Sequence, residues 1–526
     1  MGAKFWYHRN SGADTSRGAL IVLPNGGRNG TAAIANVNRT RFHDGIGQNL
    51  DTRCFHQNEN QYYEINVWFR LEKNSVPFIC DRWESSSILS RCPEVTMKNI
   101  VYDDPLTKED SSLNYDHKGF VVMPNNAQEF NLMHGVLRIN ERYSRVQRAF
   151  LFAEYAHQSL DYILSDVSFT KIDLSCNGNF IRNGNLERGR SQFWGLYGHG
   201  KYNVIDVAGT KAIEVKEKGS DGHGIRQTLY MNPDCLRLND RFRIMAKFRL
   251  RNSQGIEFEC DRTANLGATK CGIVSVITAS PLGNRYALVS DPIAIADAEK
   301  TGWGKYTGIY TLTETETNFT EIYLLLTGTD KDTTVIYDEI SMEPLPRNCD
   351  DMVLNGSFEF GDTSFWKPND LKITFDVVDE GGSGNNEYAL RYQRGNSSRW
   401  QYMYQDLDTR CFEEGQHFEI KAFFKLLDSA GDPFTCTPGD RNSGSDLHCP
   451  IMYIYAWNCD GGNIDVELWN ENTSTSWNAT VFNEFTYTFP VEPNLATCRN
   501  VKVGIGRGAL ISQSILIASV SFGPLR

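Results

Sequence analysis

The segment Leu407-Asp408-Thr409-Arg410-Cys411-Phe412 reappears as Leu50-Asp51-Thr52-Arg53-Cys54-Phe55, and a reduced form, Cys235-Leu236, stands between them. Each copy leads into a run of alternating apolar residues. The runs are Tyr63, Ile65, Val67, Phe69 and Leu71, then Phe242, Ile244, Ala246, Phe248 and Leu250, then Phe418, Ile420, Ala422, Phe424 and Leu426. A period of two marks a strand with one face in a core. Outward from the runs, Phe-x-Cys follows at Phe78-Ile79-Cys80, Phe258-Glu259-Cys260 and Phe434-Thr435-Cys436, and a further cysteine at Cys92, Cys271 and Cys449. Gln-x-Leu precedes each block at Gln48, Gln227 and Gln405, and an apolar strand closes each copy at Ile163–Val167, Ile336–Ile340 and Leu516–Val520. Shared landmarks in one order make this a single unit written three times.

The unit is about 175 residues, too long for a solenoid repeat and suited to an independent domain. The expected domains are residues 1–173, 174–346 and 347–526. Helical signals are scarce, and short alternating strands with Gly/Asn/Asp/Ser turns run throughout. The expected fold is therefore all-β, with three tandem antiparallel β-sandwiches of jelly-roll type. Repeats two and three open with Cys176, Asn185-Leu186-Glu187 and Phe193-Trp194, and with Cys349, Asn355-Gly356-Ser357-Phe358-Glu359 and Phe365-Trp366. Repeat one begins directly at Phe5-Trp6, so its opening strand is missing. This predicts a piece of a longer protein, in which the lack of a secretion signal is uninformative.

Across 526 residues, 53 Lys+Arg against 65 Asp+Glu give a net charge of −12, which argues against a nucleic-acid binder. No apolar stretch approaches a membrane span. Thirteen Cys beside 10 Met point to an oxidised, extracellular protein. The economical pairs are Cys80–Cys92, Cys260–Cys271 and Cys436–Cys449, each closing a short loop, with Cys459–Cys498 an addition in repeat three. The rest pair as Cys176–Cys235 and Cys349–Cys411, leaving Cys54 alone, or as Cys54–Cys176 and Cys235–Cys349, leaving Cys411 alone. The loop spacings lack the signatures of zinc sites. Sequons at Asn29, Asn38, Asn318, Asn355, Asn396, Asn472 and Asn478 add weight to a secretory route.

Val353-Leu354-Asn355-Gly356-Ser357-Phe358-Glu359, Phe365-Trp366, Tyr388–Tyr392, Trp400 and Gln405-Asp406-Leu407 occur in an order that resembles carbohydrate-binding modules of families 4, 9 and 22, the CenC-type modules appended to xylanases and cellulases. Repeat two matches through Asn183–Glu187, Ala212–Val215 and Asp338-Glu339-Ile340, and repeat one through Ala19–Val22 and Arg39–Gly45. The cysteine framework departs from the bacterial modules and suggests a eukaryotic branch. The resemblance implies a galactose-binding-like jelly roll, non-catalytic glycan binding and a structural Ca²⁺. The implied ligands are Glu187 and Asp338 in repeat two and Glu359 in repeat three, where Ala518 replaces Asp338. Ca²⁺ takes six to eight oxygens. These acids could equally cap turns.

A sugar site needs flat rings beside hydrogen-bonding groups. Along Ile451–Trp457, Met452, Ile454 and Ala456 point one way and Tyr453, Tyr455 and Trp457 the other. The matching outward residues are Ser275, Ile277 and Ala279 in repeat two and Thr96, Lys98 and Ile100 in repeat one. Asp465, Glu467 and Trp469 share one side of the next strand, and Trp400 stands where the resembled family carries a ligand-stacking Trp, a place held by His43 in repeat one. The expected binding residues are Arg394, Trp400, Tyr453, Tyr455, Trp457, Glu467 and Trp469, with Arg394 or Arg39 matching the family's ligand-contacting Arg. The opposing reading packs these aromatics under a loop or a neighbouring domain. In repeat two Arg243, Met245, Lys247 and Arg249 form either a solvated face or a site for anionic polysaccharide. No nucleophile elbow, zincin motif or phosphate loop occurs. Partners are therefore polysaccharides or glycoprotein glycans, or further copies of the module. The alternative is a surface or filament protein using the modules as disulfide-braced spacers.

Overall fold

A computed structural model describes residues 6–8, 18–56, 61–82, 91–102, 111–139, 143, 145–174, 178–230, 236–260, 270–280, 283–290, 302–312, 321–370, 373–379, 388–393, 401–436, 449–468, 477–506 and 513–525. The protein is all-β. The chain divides into two compact units, one of Met1–Cys176, Arg182–Glu217 and Ile225–Cys235, the other of Asn177–Ile181, Lys218–Gly224 and Leu236–Arg526. The division falls inside the second repeat.

The second unit holds repeat three as a two-layer sandwich. One sheet runs Lys367–Pro368, Tyr402–Asp406, Asn500–Gly506, Ile451–Trp457, Ile464–Leu468. The other runs Thr374–Val378, Ala389–Gln393, Ser514–Pro524, His417–Leu427, Pro433–Phe434, with Asn483–Pro490 also on His417–Leu427. The alternating set Phe418, Ile420, Ala422, Phe424 and Leu426 packs with Met452, Ile454 and Ala456 in one apolar core. Each Phe so buried contributes about 2 kcal/mol. The same alternating set is buried in repeat two, where Arg241–Arg251 lies between Gly304–Thr311 and Thr334–Leu345. The last long strand of every repeat carries a bulge at one place, between Leu164 and Val167, around Glu339, and at Ala518.

In the first unit, repeat one has the same strand order but its layers are continuous. Ser111–Val121 pairs with Glu94–Tyr102 along its first part and with Asn131–Arg138 at Gly119–Val121, giving one 11-stranded sheet. Gly135 permits the crossing, since a Cβ there would lie 1.7 Å from the Lys118 carbonyl oxygen. This unit also holds the Lys201–Val207/Thr210–Lys216 hairpin of repeat two, turned by Ala208 and Gly209, both at positive φ as a two-residue turn requires.

The recurring landmarks form one bonded device. Gln405 accepts from Leu354 N (2.6 Å) and donates to its carbonyl (2.8 Å), as Gln227 does with Arg182 (2.7 and 2.9 Å). Asn355 Nδ2 donates to Asp362 O and its carbonyl accepts Trp366 Nε1, while Asn183 serves Arg190 O and Trp194 Nε1 alike. Asn183, Leu186 and Phe193 adopt positive φ, and so do Asn355, Phe358 and Phe365. The opening motif is thus a backbone-satisfying turn.

Disulfides join Cys80–Cys92, Cys260–Cys271, Cys436–Cys449, Cys459–Cys498 and Cys349–Cys411. The last excludes the scheme that pairs Cys349 with Cys235. Cys176, Cys235 and the Cys54 side chain lie outside the described residues.

Successive repeats meet through the same two places, the start of the long strand in one and the turn after Gln-x-Leu in the next. Within the first unit, Tyr62 lies edge-on to Tyr230 (5.2 Å), Phe193 meets His134 (4.5 Å), and Arg28 and Arg190 flank the Trp68 ring at 3.8 and 5.0 Å. Within the second, the joint is ionic. Arg410 bridges Asp408 (2.7 Å) and Asp240 (3.0 Å), Arg241 donates to Asp406 O (2.8 Å) and stands 3.9 Å from Asp408, and Lys305 meets Asp362 at 2.6 Å. Burial pushes Asp408 up, but Arg410 and Arg241 more than offset this and hold it below the usual carboxylate range.

Candidate functional site

The outward face of repeat three is built on a glycine trough. Gly504 and Gly506 stand on the central strand, with Tyr404 and Tyr453 flanking Gly504 and Tyr402 and Ile451 flanking Gly506. A Cβ on Gly504 would lie 2.9 Å from the Tyr402 ring, so the glycine lets that ring cross the strand. One step along, Lys502 separates Asp406 from Tyr455, and Asp465 lies beyond Tyr455. The Lys502 ammonium sits 3.8 Å over Tyr404 and 4.6 Å over Trp457, and burial pushes its pKa down although Asp406 opposes this. Tyr455 and Trp457 are 5.6 Å apart, tilted by 45° and half-buried. This is a ring-and-charge surface.

Of the residues expected here, Tyr455 and Trp457 share this open face. Tyr453 is on it but only 3% exposed, packed against Tyr402 (5.3 Å) and Ile451. It braces the platform and is not available for stacking. Arg394, Trp400, Trp469 and the Glu467 side chain lie outside the described residues.

Repeat one carries a face that comparison of single strands missed. Phe150 and Phe152 stack at 6.1 Å on the outward side of Arg148–Glu154, Tyr7 meets both edge-on, and Arg148 and Lys98 sit 5.1 and 5.8 Å over Phe150. Burial raises Tyr7 to about 12, against the nearby Arg148. Where repeat three has Tyr404–Gly504–Tyr453 across three strands, repeat one has Gly47–Phe152–Thr96, and Lys502–Tyr455 becomes Phe150–Lys98. Ring and lysine have exchanged strands. The absence of aromatics at Thr96, Lys98 and Ile100 therefore does not mark a lost face; the signal was Phe150-x-Phe152 opposite them. Both Phe rings are buried, as Tyr453 is in repeat three, so they brace this face and its open part is the edge described next.

At that edge, Arg39 fixes a loop by donating to the carbonyls of Asp44, His157, Leu160, Phe42 and Ala156 at 2.7–3.1 Å. Arg39 is buried and spent on backbone, so it does not contact ligand as the resemblance implied. The loop presents Phe42, which is exposed, and His43 to Tyr155, 5.8 and 5.0 Å away, and His117 and Arg91 complete the edge around Tyr155 at 5.2 and 5.0 Å. Glu94 binds both His117 (2.8 Å) and Arg91 (2.7 Å).

The basic strand of repeat two is neutralised. Arg243 pairs with Glu343 (2.7 Å), Lys247 with Glu339 (2.6 Å) and Arg249 with Glu257 (3.3 Å). The side chains that the resemblance assigns to calcium are exposed to solvent or bonded within the protein. No group of three or more His, Cys, Asp or Glu side chains suited to a metal occurs among the described residues. Glu359 is exposed and accepts from Ser357 (2.8 Å), Ala518 is fully buried, Glu187 is exposed, and Asp338 is buried and accepts from Glu339 N (2.7 Å).

Asn29, Asn38 and Asn478 are exposed, whereas Asn318, Asn396 and Asn472 lie outside the described residues. Asn355 is 3% exposed with its Nδ2 donating inward, so it cannot carry a glycan. Peptide mapping of secreted protein is expected to find Asn355 unmodified, and a glycan there would contradict the buried turn.

No family profile matches the chain, and no curated protein matches it. Among solved structures it is similar to the N-terminal CBM22-1–CBM22-2 tandem of Paenibacillus barcinonensis Xyn10C, with 14% identity over 66% of this chain and 98% of that one and a TM-score of 0.26. It is similar to the C-terminal family 22 carbohydrate-binding module of Clostridium thermocellum Xyn10B, with 13% identity over 33% and 96% and a TM-score of 0.24. It is also similar to TmCBM61 in complex with β-1,4-galactotriose, with 11% identity over 33% and 99% and a TM-score of 0.20.

Proposed function

We propose that this chain binds polysaccharide outside the cell without transforming it, through the outward sheet face of repeat three and the aromatic edge of repeat one. The carrying observation is the half-buried Tyr455–Trp457 pair with Lys502 held over the rings and Asp465 beside Tyr455. Pyranose C–H faces stack on such rings while the charged groups bond the hydroxyls. Five disulfides among the described residues support an oxidising compartment. Calorimetric titration of the whole chain with xylan, β-1,4-galactan, glucans, mannan and uronic-acid polymers tests this reading. Trp457→Ala is expected to weaken binding by about 30-fold, the ~2 kcal/mol of a hot-spot aromatic. Phe42→Ala is expected to reduce whatever binding survives. Folded protein that binds none of these polymers would sink the proposal. The ionic joint between repeats two and three favours the spacer reading in that event.

A further inference from the structure

Trp68 stands on the outward side of Tyr62–Lys73, where the matching strands of repeats two and three carry Lys247 and Phe423. Two guanidinium groups share its half-buried ring, Arg28 at 3.8 Å and Arg190 at 5.0 Å. The fold pins the backbone beneath both. Arg28 N donates to Ser165 Oγ (2.8 Å), in the bulge of the last long strand, and a Cβ on the preceding Gly27 would lie 2.8 Å from that hydroxyl. Arg190 O accepts from Asn183 Nδ2 of the opening turn (2.7 Å). Arg188, exposed two residues earlier, acts on His134, which lies opposite Asn66, the next outward residue from Trp68. Three cations therefore line one stretch of this face.

Among the described residues, no side-chain hydrogen bond or ion pair reaches Arg28, Arg188 or Arg190. The nearby acids are engaged elsewhere. Glu72 pairs with Arg70 (2.8 Å), Glu64 faces His134 (3.5 Å) and Asp166 accepts from the Ser165 hydroxyl (3.3 Å). Burial pushes Arg190 below the usual guanidinium range; exposed Glu129 opposes this, and the charge of Arg28 adds to it. Like charges gathered on one half-buried ring favour an anion beside them. A ring contact supplies no acceptor oxygen, so the planar N–H donors are left for a carboxylate or sulfate. The basic strand of repeat two differs, because Arg243, Lys247 and Arg249 each hold a glutamate there.

We infer that the Arg28–Trp68–Arg190 cluster, with Arg188 beside it, binds the carboxylate or sulfate groups of an acidic polysaccharide. This site belongs to the first unit, whereas the Tyr455–Trp457 face belongs to the second, and it does not rest on sugar binding there. A chain of net charge −12 repels polyanions as a whole, so binding is local and depends on these arginines.

Titration of the whole chain with polygalacturonate and with dextran sulfate at low ionic strength is the test. At least one acidic polymer is expected to bind, and the preference between them tells carboxylate from sulfate recognition. Arg28→Gln/Arg190→Gln is expected to weaken that binding by about 30-fold and to flatten its salt dependence. Any binding of neutral xylan is expected to be unchanged in this variant, which separates the two sites. The same loss of charge in Arg243→Gln/Arg251→Gln is expected to leave acidic-polymer binding intact, and circular dichroism checks each fold. A second readout needs no variant: bound polymer is expected to shield Arg28 and Arg190 of the wild type from phenylglyoxal, read by peptide mass. Failure of both acidic polymers to bind, an equal loss in the two variants, wild-type affinity in the first, or arginines left unshielded by bound polymer would each overturn the inference.

Discussion

Arg241→Ala is expected to lower the stability of the second unit by about 3–5 kcal/mol, the cost of removing one member of a buried ion pair. Arg241 is buried at the joint of repeats two and three, and burial pushes its pKa down although Asp408 and Asp406 oppose this. Its loss leaves Asp408 dependent on Arg410 alone and strips Asp406 O of its donor. Denaturant unfolding of the whole chain measures the effect. The control is Arg53→Ala, the loss of the same charge in an exposed setting, where no measurable change is expected. Equal effects at the two sites would show that the buried network contributes no more than a surface pair.

Acid is expected to destabilise the first unit through His134. Burial among Asn66, Gly135 and Phe193, with Arg188 adding to it, lowers this imidazole from 6.5 to about 3, and Glu64 at 3.5 Å does not reverse the shift. The unfolded chain takes up a proton near pH 6.5 that the folded chain refuses until about pH 3. Stability is therefore full above pH 6.5 and falls by up to ~1.4 kcal/mol per unit as pH drops through that window. Between about pH 7 and pH 4 the loss is roughly 3 kcal/mol. His134→Gln keeps a polar group beside Asn66 and is expected to remove most of this slope. Identical acid limbs for the two proteins would assign the loss to other groups.

The layered β architecture was readable because period-two alternation and short cysteine loops are local signals. The Gln-x-Leu and Asn landmarks were readable as markers, but their work, in which Gln405 bonds the backbone of Leu354 beside Asn355 across 51 residues of sequence, is visible only in three dimensions. The face of repeat one escaped because its rings moved to the neighbouring strand, and cross-strand exchange preserves a surface while erasing a column of a sequence comparison. Arg39 looked like a ligand contact because sequence cannot separate a guanidinium aimed at solvent from one ringed by carbonyls. The ion pairs Arg53–Asp51 and Arg410–Asp408 are legible in the sequence only as a repeated word. Its two settings differ in burial, which identical residues cannot express.

Tyr62 touches Tyr230 at the position where Arg241 faces Asp408. The two joints thus speak different chemical dialects, one built on rings and one on charge. Shuffling the modules would set a phenol against a carboxylate, so their serial order is written into the seams. Brine should loosen one seam and spare the other.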